Sequence, residues 1–487
     1  MKHLVQATLG VALAASLGLA PLGAVAQIPN DATLRLAGSN TVGQKLAAVL
    51  GSNWARKLGI TAIRTDAGAD AEEYDVIAER AEGSRRLRIE VRAHGTGTGA
   101  EPLISGKADL WMASRQAREA DLEAVRKKNV PGVPTIAQVL APGNENVVAL
   151  DALAVLVHPQ NPVRQLTVAQ IKDIFAGKIT NWSAVGGPNL PIVRYSRDSN
   201  SGTFDTFCTL VMGIGDTAKC TETMGLAKEA RFESSEDLSD TVSSNGAGIG
   251  FVGVGYIRAA RSLGIASACG LTAGADVFLI KADEYPLSRR LYLYNMPGRA
   301  PSPVVSGFLQ FALSADGQAG VTEAGFVDLL ASTAGADYVR QRVALGSNAF
   351  DGGRVRIRPS DLQELEKVTN GAERLSITFR FQAGSNNLDS LAVADIARLA
   401  ALLKSPSYAG AQVALVGFSQ AQGDYVENRG LSKERAEAVR ERLANEQGLK
   451  DIVAVGVGAA SPIACNADAT AARNQRVEVW VRGKAAQ

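Results

Sequence analysis

A chain of 487 residues with 46% hydrophobic and only 5% aromatic residues has room for two or three globular domains. Its 51 basic and 49 acidic residues leave a net charge of +2, which excludes the basic footprint of a nucleic-acid binder. With three histidines, one of them His3, a histidine metal centre or a Ser/His/Asp triad is poorly supplied, although a distant carboxylate could complete either. No metal, no cofactor and no enzymatic activity is expected.

Lys2, the apolar run Leu9 to Leu19 and the small-residue site Ala24-Val25-Ala26 read as a secretory signal, residues 1–26, cleaved before Gln27. The run is short and lacks a charged stop-transfer flank, so removal is expected rather than membrane spanning. No cysteine near the cleavage site offers a lipid anchor. Export to the periplasm follows. In an oxidising compartment Cys208 and Cys220 are the natural pair, closing a short loop worth about 3 kcal/mol in the chain-entropy account. The sequence assigns no partner to Cys269 or Cys465.

From Thr33 the pattern alternates strands with helices. Thr33 to Ala37 is strand-like, Gly38-Ser39-Asn40-Thr41 is a turn with capping residues, and Val42 to Leu58 is an amphipathic helix. Leu87 to Val91 is a second strand, followed by the glycine- and threonine-rich turn His94 to Glu101. That turn lacks the Lys-Ser/Thr ending of a nucleotide P-loop and is weak evidence alone. Ala108 to Met112 is a short strand ending at Ser114-Arg115, where a solvated turn competes evenly with a functional reading. Val147 to Val157, apolar except for Asp151, suits a buried strand crossing between two lobes. Thr167 caps a helix to Phe175, and Trp182 is expected to pack rather than bind.

Pro191-Ile192-Val193 then leads into Arg197-Asp198-Ser199-Asn200-Ser201-Gly202-Thr203-Phe204, with helical spacing beyond it. Ser-Gly-Thr at a first helical turn offers free N–H groups, two hydroxyls and a glycine that lets a ligand come close, while the arginine adds a fork suited to a tetrahedral oxyanion. An ordinary N-cap beside a surface arginine accounts for the octet alone equally well. Repeated βα units with three hydroxyl-rich turns at strand ends imply an α/β protein whose ligand sits where those ends converge. After a polar stretch, residues 350–372, read as linker (Leu362 to Val368 could be helical), the pattern restarts. Strands at Leu375 to Phe381, Gln412 to Gly417 and Gln475 to Val481, with helices at Leu388 to Leu403 and Ser432 to Leu443, make a compact α+β unit over 373–483.

Residues 33–349 resemble the periplasmic phosphate-binding proteins of ABC importers. The likeness rests on Asn161-Pro162, Ile174 to Trp182, Gly186-Gly187, Arg197 with Ser201-Gly202-Thr203, Gly38 to Thr41, Gly248 to Phe251, Tyr285 to Arg289 and Leu313 to Gln318. It implies a two-lobed periplasmic-binding-protein fold of the type II kind over 27–349, one lobe from 27–157 with 271–349 and the other from 159–270. It also implies phosphate contacts from Ser39, Thr41, the backbone of Val42, Thr96, Ser114, Arg115, Arg197, Ser201, Gly202 and Thr203. The family's usual Ser-Asp is here Ser114-Arg115, which removes a carboxylate that accepts the proton of monohydrogen phosphate. Ser199 stands where many relatives carry an acidic partner for the arginine, a role open to Asp198.

Residues 373–483 resemble the OmpA-like peptidoglycan-associated domain, on Phe379, Phe381, Gly384-Ser385, Leu388, Gly417, Asn428, Leu431-Ser432, Arg435-Ala436, Gly456, Gly458, Pro462, Asn466 and Asn474 to Glu478. The resemblance implies peptidoglycan binding through Gln420, Asn428 and Arg435. Gln420 replaces the family's aspartate, and a neutral amide loses the charge pairing with the wall peptide's ammonium. The expected function is capture of phosphate, or a similar tetrahedral oxyanion, for an ABC importer's membrane subunits, with wall association through the C-terminal domain. The alternative is a cell-envelope structural protein whose two-lobed part senses an anion or meets a partner. A phosphatase is a poor third, since the sequence offers no nucleophile with a base.

Overall fold

The computed structural model describes residues 29–70, 72–80, 86–199, 201–334, 338, 358–382, 385–421, 423–465 and 471–483. The expected signal segment and the first residues of the expected linker lie outside these, as do Asn200, Gly384 and Asn466.

The architecture is organised by one long strand, Glu145–Val157. Twelve of its thirteen residues are buried, as an apolar run with both faces covered must be. Its first half pairs antiparallel with Ser288–Tyr294, from Glu145 opposite Tyr294 to Ala152 opposite Ser288. Its second half pairs antiparallel with Gly248–Gly253, from Leu153 opposite Gly253 to Val157 opposite Ile249. A ten-stranded sheet therefore runs through both lobes, in the order Ala62–Ala67, Glu73–Glu79, Arg86–Arg92, Asp31–Gly38, Leu110–Ala113, Ser288–Tyr294, Glu145–Val157, Gly248–Gly253 and Val193–Arg194, with Arg261–Ser262 also on the long strand. Asp31–Gly38 lies parallel to both its neighbours, so their C-terminal ends meet at one edge of the cleft.

Two large apolar clusters fill the two-lobed part, one within the first lobe and one that runs from Leu103, Trp111 and Tyr294 of the first lobe into the second. Leu34, Leu36, Leu50, Trp54, Ile89 and Phe308 pack the first. Phe175, Trp182, Phe207 and Phe251 pack the second, with Phe207 and Phe251 stacked at 3.8 Å between centroids. Trp182 is fully buried and donates Nε1–H to the Ala247 carbonyl, a packing role. Cys208 and Cys220 are joined within the second lobe.

Three elements differ from the sequence reading. The second lobe does not end at Gly270: Thr272–Ala273 still pairs with Gly264–Ala266, because Ser267 to Leu271 forms a tight turn, with Gly270 at φ +85°. The chain returns later, entering the shared sheet at Ser288. Second, the helix allowed for at Leu362 to Val368 forms as Pro359–Thr369, but it is part of the C-terminal domain rather than linker: its Leu365 packs with Phe418 and Trp480 and its buried Asp361 accepts from the Tyr425 hydroxyl. Third, the helix expected from Ser432 starts at Tyr425 and runs to Gln447, because the Asp424 carboxylate caps Val426 N–H and Glu427 N–H.

The C-terminal domain is a four-stranded sheet, in the order Glu373–Phe379, Arg476–Arg482, Gln412–Phe418 and Ile452–Gly456, packed on the helices Ser390–Leu403 and Tyr425–Gln447. It is docked on the two-lobed part. Arg290 pairs with Asp389 at 2.7 Å, Arg380 with Asp283 at 3.2 Å, and Cys269 is bonded to Cys465. Ser376 N–H donates to the Ser332 carbonyl and Ala334 N–H to that of Arg374, so the end of the first domain lies along the second domain's edge strand. Among the described residues no helix is long and apolar enough to cross a membrane.

Candidate functional site

Two helix N-termini, one from each lobe, meet at the cleft. The first follows Gly38, whose φ of +131° and 2.2 Å approach of a would-be Cβ to the Met112 carbonyl oxygen demand glycine. Ser39 caps the helix by accepting from Val42 N–H at 3.4 Å, so that backbone donor has an internal partner. The second starts after Ser201, whose hydroxyl accepts from Thr203 N–H at 3.2 Å. Each helix carries a π-helical turn close to the cleft, Val42–Ala47 and Cys208–Met212, a distortion frequent beside binding sites.

The helices touch through Thr41 and Gly202. A Cβ on Gly202 would lie 2.7 Å from the Thr41 Cα. The missing side chain of Gly202, expected to let a ligand come close, here admits the opposite lobe.

Arg289 holds this junction. Its side chain is 8% exposed and its Nη2 donates to Thr41 Oγ1 at 2.8 Å and to the Gly202 carbonyl at 3.2 Å. The same guanidinium pairs with Asp151 at 3.2 Å and Asp205 at 3.3 Å. Thr206 Oγ1 also donates to Asp151. None of Arg289, Asp151 and Asp205 was among the expected site residues. A signal was present, since Asp151 is the lone charge in a buried strand and a buried carboxylate requires a cation.

The expected anion-binding residues divide between two cavities that share Ser201. A cavity of about 510 Å³ is lined by Ser39, Thr96, Ser114, Arg115 and Ser201, with Asp205 and Arg289. A smaller one of about 270 Å³ is lined by Thr41, Arg197, Ser201, Gly202 and Thr203. Val42 lines neither. In the first, Trp111 Nε1–H donates to the Thr96 carbonyl at 2.6 Å and Ser114 N–H donates to Thr96 Oγ1 at 3.1 Å, which fixes the threonine hydroxyl against the cavity.

Arg115 does not stand there as a free cation. It holds Asp121 in a two-pronged pair, at 2.8 and 2.7 Å. That hydrogen bond lifts the Arg115 pKa. Burial opposes ionisation of Asp121, but Arg115 and the Arg118 N–H outweigh it and hold the carboxyl below its usual range.

Arg197 faces the smaller cavity. Its Nε donates to the Phe232 carbonyl at 3.1 Å, and its remaining N–H groups reach the Glu233 carbonyl and the hydroxyls of Ser235 and Thr203. Burial lowers its pKa, and Asp198 acts on it through charge in the opposite direction.

In the C-terminal domain Asn428 and Arg435 lie two turns apart on the helix Tyr425–Gln447, and Gln420 follows the strand Gln412–Phe418. Arg435 is 7% exposed, lies over the Phe381 ring at 5.2 Å and donates Nη2–H to Gln475 Oε1 at 2.9 Å. Its Nε has no hydrogen-bond partner among the described residues, and burial lowers its pKa. On the surface near the larger cavity Asp70, Glu73 and His94 come together, a grouping the histidine count did not anticipate. His94 bonds Glu73 at 2.9 Å, and Arg92 stands 3.4 Å from the same carboxylate.

Two α/β lobes joined by a crossing strand, with facing helix N-termini at a polar cleft, define a two-lobed binding-protein fold. The chain belongs to the PBP superfamily, whose domain profile matches residues 67–316, and it carries a C-terminal OmpA family domain matched over residues 380–476. It is 29% identical over 283 residues to Protein SphX of Synechococcus elongatus, covering 55% of this chain and 77% of that protein. It is 29% identical over 265 residues to the phosphate-binding protein PstS of Pseudomonas aeruginosa, covering 51% and 76% respectively. An ABC-type phosphate transport receptor from Vibrio cholerae aligns with a TM-score of 0.43 at 22% identity, over 60% of this chain and 99% of that structure.

Proposed function

We propose that the two-lobed domain captures inorganic phosphate, or a similar tetrahedral oxyanion, outside the cytoplasm, acts as a binding protein rather than an enzyme, and serves an ABC importer. The observation that carries this reading is the meeting of the two capped helix N-termini at Thr41 and Gly202, beside a cavity lined by hydroxyls and guanidinium groups. The name of one relative, the phosphate-binding protein PstS of Pseudomonas aeruginosa, points the same way. Separation of Thr41 from Gly202 would merge the two cavities. The anion would then be surrounded by Ser39, Thr41, the Val42 backbone, Thr96, Ser114, Arg115, Arg197, Ser201, Gly202 and Thr203, and closure on it would be a movement of one lobe against the other.

The C-terminal domain, in this reading, attaches the receptor to the cell wall through Gln420, Asn428 and Arg435. A buried guanidinium with a neutral amide as its hydrogen-bond partner is suited to receive a ligand carboxylate. Two disulfides, with no free cysteine among the described residues, support an oxidising, extracytoplasmic location. Export would follow from the signal expected at residues 1–26, and the domain boundary would fall between the docked segment at 331–334 and the helix Pro359–Thr369.

Calorimetric titration of the ligand-stripped mature protein with phosphate tests the reading. Saturable binding at one site is expected, with Arg197→Ala losing on the order of a hundredfold or more in affinity, as removal of a buried charge partner does. Absence of both heat and thermal stabilisation would sink it.

A further inference from the structure

Behind the larger anion cavity lies another, between the first lobe and the C-terminal domain. Its volume is about 650 Å³, and Gln116, Glu145, Arg290, Asp389 and Ser390 are among the residues that line it. Two pairs of adjacent residues divide between the two spaces. Arg115 and Arg289 line the anion side, whereas Gln116 and Arg290 line the interdomain side. In the strand Ser288–Tyr294 this follows from the pleat, which turns successive side chains to opposite faces. At both places a single stretch of backbone separates the cavities.

Glu145 opens the long crossing strand and is 4% exposed. Among the described residues no cation stands within ion-pair distance of it, for Arg290 is committed to Asp389 at 2.7 Å and Asp283 at 3.6 Å. Neutral donors hold the carboxyl instead: the Tyr294 hydroxyl at 2.9 Å and Gln116 Nε2 at 3.2 and 3.3 Å. Burial pushes its pKa up. A buried acid held only by neutral donors adds little ionic stabilisation, and what it supplies is geometry.

These bonds run on into the anion wall. The Tyr294 hydroxyl that donates to Glu145 accepts from Ala117 N–H at 3.0 Å. The Gln116 carbonyl accepts from Arg115 Nη1 at 3.2 Å. Three consecutive residues are therefore fixed, Arg115 by Asp121, Gln116 by Glu145 and Ala117 by Tyr294. The Arg115 guanidinium is set from one side by Asp121 and from the other, through Gln116, by Glu145.

We propose that Glu145 is a positioning residue of the anion site, fixing through Gln116 and Tyr294 the backbone that carries Arg115, from a cavity that the C-terminal domain closes. Asp389 and Ser390 begin the helix Ser390–Leu403 at that cavity, and Ser390 Oγ donates to the Leu140 carbonyl at 3.3 Å, so the docked domain forms one wall around the acid. Without Glu145, Gln116 and Ala117 shift and Arg115 shifts with them. The inference rests on the phosphate-binding reading and extends that site to residues that never meet the anion.

Calorimetric titration of the full mature protein and its variants with inorganic phosphate at pH 7 tests it, with thermal melts of the ligand-free proteins as the folding control. Glu145→Ala should weaken phosphate binding about tenfold, the scale on which a network outside the ligand's contacts modulates a site. Glu145→Gln keeps the reach and an acceptor oxygen, so its affinity should stay within about threefold of wild type. Tyr294→Phe removes one hydroxyl and should also weaken binding, which preserves the test if the alanine variant melts early. In an Arg115→Met background Glu145→Ala should cost clearly less, because the side chain it positions is gone. Wild-type affinity in either folded Glu145→Ala or folded Tyr294→Phe overturns the proposal, as do losses that add in full with Arg115→Met. A loss in Glu145→Gln equal to that in Glu145→Ala also overturns it, for charge rather than geometry would then matter. Failure of the wild-type protein to bind phosphate removes the phosphate reading itself and this inference with it.

Discussion

Cys269 and Cys465 are bonded across 196 positions of sequence, and the bond joins the second lobe to the C-terminal domain. Cys269 sits in the tight turn between Gly264–Ala266 and Thr272–Ala273, and Cys465 precedes the last strand of the C-terminal sheet. On the other side of that domain Asp389 pairs with Arg290, on a strand of the first lobe, at 2.7 Å. The C-terminal domain thus grips both lobes. The disulfide and the ion pair hold the C-terminal domain in a set position against the two-lobed part, which a flexible tether would not do.

Cys465→Ser should therefore lower the stability of the whole molecule. Opening a cross-link over so long a stretch is expected to cost roughly 2–5 kcal/mol. Differential scanning calorimetry of the oxidised proteins checks this. An unchanged profile in the variant would mean that the ion pairs alone fix the domain.

Arg289→Met should destabilise the first two lobes more than any cleft hydroxyl substitution. It removes the ion-pair partner that buried Asp151 has among the described residues, together with the donor that spans Thr41 and Gly202. Leaving a buried carboxylate without its cation costs roughly 3–5 kcal/mol, readable as a lower urea midpoint. Adding Asp151→Asn to this variant should recover part of the loss, because the stranded charge goes with it.

Asp121 links the cleft to pH. Against the effect of burial, Arg115 and the Arg118 N–H depress its pKa in the folded protein below the ordinary aspartate range, so its contribution is complete above that range and is lost as pH falls through the lower, folded-state value. Asp121→Asn should cost about 2 kcal/mol at pH 7, the scale of hydrogen bonds to a charged group. Urea unfolding from pH 7 down to pH 3 should show the gap between wild type and variant narrowing in acid. A gap that widens in acid would contradict the assignment.

Gln420→Asp should strengthen retention on purified peptidoglycan sacculi severalfold, since it restores an anion for the wall peptide's ammonium. Arg435→Ser should abolish retention, and Arg435→Lys should restore only part of it, for a point charge replaces a fork. Co-sedimentation measures all three. Equal retention of wild type and Arg435→Ser would place wall contact elsewhere on the domain or remove it.

Much was legible in the sequence because it was local. Ser39, Thr167, Ser201 and their neighbours announce helix starts, since a cap acts within three residues of itself. The apolar run Val147 to Val157 announces a strand buried on both faces, and the closeness of Cys208 to Cys220 announces their bond. The tertiary structure decided the rest. It turned Arg197 toward the Phe232 and Glu233 carbonyls, spent Arg115 on Asp121, and set Arg289 between Asp151 and Asp205. It paired Cys269 with Cys465 and drew the helix allowed for at Leu362 to Val368 into the C-terminal domain, where Leu365 packs against the distant Phe418 and Trp480. Each of these depends on a partner far away in the chain. Periodicity and capping register only neighbours, whereas the partner of a buried charge or an apolar face is chosen by which distant surfaces the fold brings within a few ångströms.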